Sequence, residues 1–81
     1  MNFQLSDPQA IGEAGERIYK EKYRAGFEAQ CPGKFVAIDV RSEKAYIRES
    51  PLEALRAAGE DAPCGLFHLI RVGYVAAFSH V

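Results

Sequence analysis

His68, Asp39 and Arg71 are the side chains of this 81-residue chain whose types could move a proton. A histidine beside a carboxylate is the minimum for acid–base work. All three lie in segments that read as strands, where alternation sends His68 and Arg71 to opposite faces, so Asp39 can stand close to at most one of them. The plainer reading is a charge pair at a sheet edge. A nucleophile would have to be Cys31, Cys64 or a serine, and none sits in a nucleophile elbow or a cysteine-protease context. No catalytic residue is assigned, and the chain is expected not to be an enzyme. His80 could join His68 on a metal, but two histidines without a third placed ligand seldom hold zinc. No CxxC or Cys/His cluster is present, so neither metal nor cofactor is expected. Gly33 and Lys34 look like the end of a phosphate loop, yet the earlier glycine is missing and a strand follows where a helix should begin.

A second constellation is aromatic and basic. Phe35, Tyr46, Arg48 and Arg71 can share one face of a sheet, the face opposite the helices, and Tyr74 and Phe78 follow in the apolar tail. Together these six form the candidate interaction surface. Rings interleaved with arginines are what readers of single-stranded RNA use for stacking. No glycine-aromatic ribonucleoprotein motif accompanies them, and a covering tail or second subunit accounts for the same rings.

The elements that must position these groups begin at Ser6 or Asp7, which with Pro8 reads as a capped helix start. Ile11, Ala14, Ile18, Tyr19, Tyr23 and Phe27 recur at three- and four-residue intervals, which predicts a long amphipathic helix over 6–31. Gly12, Gly15 and Gly26 are unfavourable inside it and point to fraying or close packing. Its outer face carries opposite charges four residues apart, a solvated pattern. The Cys31, Pro32, Gly33 segment ends it.

In GKFVAIDV, Val36, Ile38 and Val40 point one way and Phe35 and Ala37 the other. A strand apolar on both faces belongs in the middle of a sheet. Ala45 to Arg48 resumes alternation, which predicts a hairpin over 34–48, although the turn lacks Asn-Gly and leaves its register open. Ser50, Pro51 and Glu53 form a helix start in which Glu53 reaches back to the cap amide. The helix spans 50–59, with Leu52, Leu55 and Ala58 as its buried stripe. A third strand covers 66–72 and should lie beside the first. The tail 73–81 is too apolar to be left in water, so it is a fourth strand, a flap or an arm on a neighbour.

Size and charge bound the rest. A chain of 81 residues makes one domain, 1–81, and buries only about 60 to 65% of its unfolded surface, so association is a reasonable way to gain burial. At 48% apolar and 26% charged it is globular. A net charge of −1 argues against a nucleic-acid footprint over the whole molecule, although Lys34, Arg41, Lys44 and Arg48 make the hairpin locally basic. Cys31 and Cys64 read as two free thiols of a cytoplasmic protein. No apolar run is long enough to span a bilayer.

At GKFVAIDV, SPLEALRAA, FHLIRVG and IYKEKYRAGFEA (Ile18 to Ala29), the chain resembles a family of short bacterial proteins of unassigned function. They share a glycine-lysine-aromatic-valine-alanine-isoleucine strand, a capped helix with glutamate-alanine-leucine, and a last strand ending in arginine-valine-glycine. The likeness covers roughly Ile18 to Gly73, its motifs are structural, and it carries no catalytic or binding residue.

The expectation is an α+β domain, α-β-β-α-β, with a mainly antiparallel sheet in the order 2-1-3, the first strand central, and helices on one face. The expected function is a protein–protein interaction or regulatory accessory module that self-associates as a homodimer or binds a partner chain. The alternative is a nucleic-acid-binding module using the basic hairpin, and the third is a small-molecule or enzyme role around His68.

Overall fold

The computed structural model of the chain describes residues 7–74. The N-terminal helix starts at the expected cap: Asp7 Oδ1 accepts from the Gln9 amide at 3.1 Å, and Pro8 occupies the first turn. It is not one regular helix. α1 (Pro8–Ile18) passes through a π-helical turn (Tyr19–Tyr23) into α2 (Arg24–Gln30). The cause is the phase of the apolar stripe. At 3.6 residues per turn, Ile11, Ala14 and Ile18 would be followed on the same face by Lys22, Ala25 and Gly26. One extra residue in the π-turn brings Tyr23 and Phe27 onto that face instead, where they join the core. Their rings stack with centroids 5.4 Å apart.

Gly33 then takes φ +88°, a conformation few other residues adopt, and its amide donates to the Val72 carbonyl at 2.9 Å. It turns the chain from α2 into the sheet, as expected of this glycine. β1 (Phe35–Asp39) is central, with β2 (Ala45–Arg48) and β3 (Phe67–Arg71) antiparallel on either side, so the order is β2-β1-β3. Val36, Ala37 and Ile38 are fully buried, as a strand apolar on both faces should be.

The helices do not share one face, and here the expectation is corrected. Val36, Ile38 and Ile70 pack under Ala14, Ile18 and Tyr19 of the N-terminal helix. On the other side Ala37 meets Ala54 and Ala58 of α3 (Pro51–Asp61), ringed by Phe35, Tyr46, Phe67 and Leu69. The N-terminal helix already occupies the first face, and β1 has apolar residues to bury on the second, so α3 covers it. The result is a three-layer helix–sheet–helix sandwich.

α3 begins at Ser50, whose Oγ accepts from the Glu53 amide at 3.2 Å. The return bond from the Ser50 amide to the Glu53 carboxylate is absent among the described residues. The buried stripe is corrected as well: Ala54 and Ala58 are at 0% exposure, while Leu52 is 64% and Leu55 38% exposed. Alanine on alanine at the centre brings α3 close to the sheet, and the large side chains around Ala37 fill the margins. The leucines are left outside.

A second tie holds α3 to β2. The Tyr46 hydroxyl donates to Asp61 Oδ2 at 2.6 Å, which pushes the phenol up from 10.0 to about 12 and holds the Asp61 carboxyl below its usual range, with Lys44 adding to the latter. The bond needs Asp61 ionised and Tyr46 protonated. Its contribution is therefore lost as pH falls through the lowered carboxyl pKa, and on the alkaline side as pH rises through about 12. In an alkaline absorbance titration one phenol is expected to ionise near 12, and Asp61→Asn should return it towards 10.0. An unchanged profile in the variant would remove the tie.

Candidate functional site

The residues singled out by type are dispersed by the fold. His68 pairs with Ile38 across the sheet and faces α1, whereas Arg71 pairs with Phe35 and faces the other way. Asp39 reaches neither. It is 2% exposed, and its Oδ1 accepts from the amides of Arg41 at 3.0 Å and Leu66 at 3.3 Å while Oδ2 accepts from the Ser42 hydroxyl at 3.0 Å. It therefore ties the β1–β2 loop to the entry of β3, and the expected sheet-edge charge pair does not form. Nearby, Glu43 adopts φ +66°, held by the Tyr23 hydroxyl donating to its carbonyl at 2.6 Å and by Lys22 Nζ 3.0 Å from its carboxylate.

His68 meets α1 where α1 has no side chains. Its ring lies over Gly12 and Gly15, and its Nε2 is 2.8 Å from Glu16 Oε2. This pair locks helix to sheet; Glu16 also borders the groove described below. His80 lies outside the described residues, and no group of three or more His, Cys, Asp or Glu is placed to hold a metal among those described. Cys31 and Cys64 are free thiols.

The aromatic and basic set is on one face, as alternation requires: Phe35 is opposite both Arg48 and Arg71, and Ala37 is opposite Tyr46. That face is not open, because α3 packs on Phe35 and Tyr46. Arg71 stacks its guanidinium over Phe35 at 5.2 Å and over Tyr74 at 4.1 Å. Its Nε also donates to the Gly33 carbonyl at 3.4 Å. Tyr74 is 55% exposed, and Phe78 lies outside the described residues. The basic hairpin loses two cations to ion pairs, Lys34 with Glu49 and Lys44 with Asp61.

A concavity lies elsewhere. A groove of about 740 Å³ runs between the N-terminal helix, at Arg17, Tyr19 and Lys20, and the end of the sheet, at Ile70, Arg71 and Tyr74. Ile70 and Arg71 point to opposite faces, so a groove touching both wraps the outer margin of β3. Tyr19 is 5% exposed, and its hydroxyl is buried with no hydrogen-bond partner among the described residues. Burial pushes its phenol up, the carboxylates of Glu28 and Glu16 push it the same way, and Arg24 opposes. A buried hydroxyl left unpaired costs about 1 to 3 kcal/mol. It is carried on the first residue of the π-turn, a feature frequent at functional sites.

Sequence reasoning missed this groove because its walls come from residues about fifty apart that look like an ordinary solvated helix face and a strand end. One trace of it was present: the apolar stripe slips phase at Ile18 and Tyr19, which betrays the π-turn. Among the described residues no helix is long and apolar enough to cross a membrane. Comparison with known proteins matched no family model, no curated protein and no solved structure.

Proposed function

We propose that the protein is a small interaction module that self-associates through the outward side of α3. The observation that carries this reading is the exposure of Leu52 and Leu55, at 64% and 38%, on a helix whose inward contacts are made by alanines. The same side contains Gly59, beside which a Cβ would meet nothing within 4 Å. Glycine costs roughly 1 kcal/mol against alanine in a helix, and packing within one copy gives no return for it. A second copy does. Leu52 and Gly59 are two turns apart and point the same way. In an antiparallel pair about a two-fold axis, Leu52 of each copy then fills the hollow left by Gly59 of the other. Arg56 lies on the flank that also carries Glu53 and Glu60, and the two-fold sets that flank against itself with opposite charges in reach.

Sedimentation equilibrium over a concentration series tests it, with a dimer expected. Leu52→Glu should leave the circular dichroism unchanged and weaken the dimer. Two half-buried leucines are worth about 3 kcal/mol, roughly a hundredfold in dissociation constant. A protein that sediments as a monomer at every concentration rejects the proposal. The nucleic-acid reading has less support, because Phe35 and Tyr46 are covered and two of the four hairpin cations, Lys34 and Lys44, are paired.

A further inference from the structure

We infer that the groove between the N-terminal helix and β3 is a second, separate docking site, which takes an extended acidic segment of a partner chain as an added strand on β3. Four observations converge on it. First, β3 is an edge strand, and its ladder leaves half of its backbone groups pointing outward. Val72 donates to the Lys34 carbonyl at 2.8 Å and Val40 to the Leu66 carbonyl at 2.9 Å, so residues 66, 68, 70 and 72 face β1. By antiparallel alternation the N–H and C=O groups of Phe67 and Leu69 and the N–H of Arg71 face away from it, while the Arg71 carbonyl accepts from the Tyr74 amide at 3.3 Å. An extended chain laid there gains a ladder of main-chain bonds, and a helix beside an edge strand supplies the second wall for its side chains.

Second, the walls are charged unevenly. Arg24 pairs with Glu28, and Glu16 pairs with His68. Arg17, Lys20 and Arg71 have no carboxylate within ion-pair distance among the described residues, and against them stands Glu21. Counting Glu16, whose charge His68 offsets only when protonated, four cations of the lining face three carboxylates, and this positive excess of one favours an acidic occupant over a basic one. Third, Tyr19 lines the groove and its hydroxyl is buried behind that wall without a partner among the described residues, so a shift of the ring on binding would bring it to a carbonyl or carboxylate of the occupant. Fourth, Tyr74 presents an exposed ring at the mouth, and Arg71 stacked on it keeps the cation in place.

The test is selection from a displayed library of short random peptides against the full-length protein, followed by fluorescence anisotropy with the most enriched peptide. The enriched sequences are expected to alternate apolar with acidic residues, and to contain no proline at the positions that face the strand. Binding should weaken as salt is raised. Lys20→Glu should abolish enrichment of acidic sequences. Tyr19→Phe should leave the melting temperature of the free protein unchanged or higher, yet weaken the peptide by about tenfold, an outcome a purely structural tyrosine would not produce. Recovery of no sequence, as when residues 75–81 or a second copy already fill the groove, overturns the inference. So does enrichment of basic sequences, or binding indifferent to both Lys20→Glu and Tyr19→Phe. Sedimentation of Leu52→Glu reports on the α3 surface alone, so failure of one site is distinguishable from failure of the other.

Discussion

Gly15→Ala is expected to lower the stability of the domain by about 2 kcal/mol, although alanine is the better helix former by roughly 1 kcal/mol. A Cβ at position 15 would stand 2.4 Å from the Cβ of His68, 2.7 Å from its Cγ and 2.8 Å from its Cδ2. The first of these atoms is fixed to the backbone of β3. No rotation of the imidazole relieves the contact, so α1 must retreat from the sheet. Retreat loosens Ala14 and Ile18 from Val36, Ile38 and Ile70, and it also draws Glu16 away from His68. In a domain of this size the loss corresponds to about 8 to 16 °C in melting temperature. Two controls make the cause visible. Gly26→Ala, with nothing within 4 Å of the new methyl, should raise stability by up to about 1 kcal/mol. His68→Ala should fail to rescue Gly15→Ala, because it retains the atom that collides first. Full rescue by His68→Ala, or a Gly15→Ala protein as stable as the parent, would show that the helix is not seated on the strand at this point.

That contact also marks where reading the chain stops being local. The glycines of the first helix were legible as a disadvantage, and close packing was one of two explanations. Which glycine is packed, and against what, depends on a strand more than fifty residues away. GKFVAIDV was fully legible because its information is local: alternation with apolar residues on both sides requires a central position, and Val36, Ala37 and Ile38 take it. The cap at Ser50 was legible for the same reason. The placement of α3 was not, because Leu52, Leu55 and Ala58 made a plausible apolar stripe, and so do Ala54 and Ala58. Hydrophobicity favours the leucines. The steric demand of Ala37 beneath the helix favours the alanines, and it prevails because close approach of α3 seals Phe35 and Tyr46 as well. Tyr19 was read correctly as a core residue, but whether its hydroxyl finds a partner is a property of the surrounding fold.

Asp39→Ala is expected to destabilise the protein by about 2 to 3 kcal/mol, although position 39 has no part in the proposed binding surfaces. The carboxylate is nearly inaccessible at 2% exposure and accepts three hydrogen bonds, two from the amides of Arg41 and Leu66 and one from the Ser42 hydroxyl. Alanine removes all three acceptors at once. Ser42 is exposed and can turn to water, but the half-buried Leu66 amide loses its side-chain acceptor. Asp39→Asn should be milder, near 1 kcal/mol, because its carbonyl can still take both amides and its NH₂ can donate to the Ser42 oxygen. Chemical denaturation of the two variants therefore gives an ordered series, parent above Asn above Ala, without a large change in slope. Amide exchange adds a local readout: Leu66 should lose protection in the alanine variant more than Val36 does, since β1 keeps its ladders to both neighbours. Asparagine as damaging as alanine would place the stabilisation in the charge of Asp39 and not in the geometry of its hydrogen bonds. An alanine variant equal to the parent would mean that the β1–β2 loop and the entry to β3 are held together by the backbone bond from Val40 to Leu66 alone.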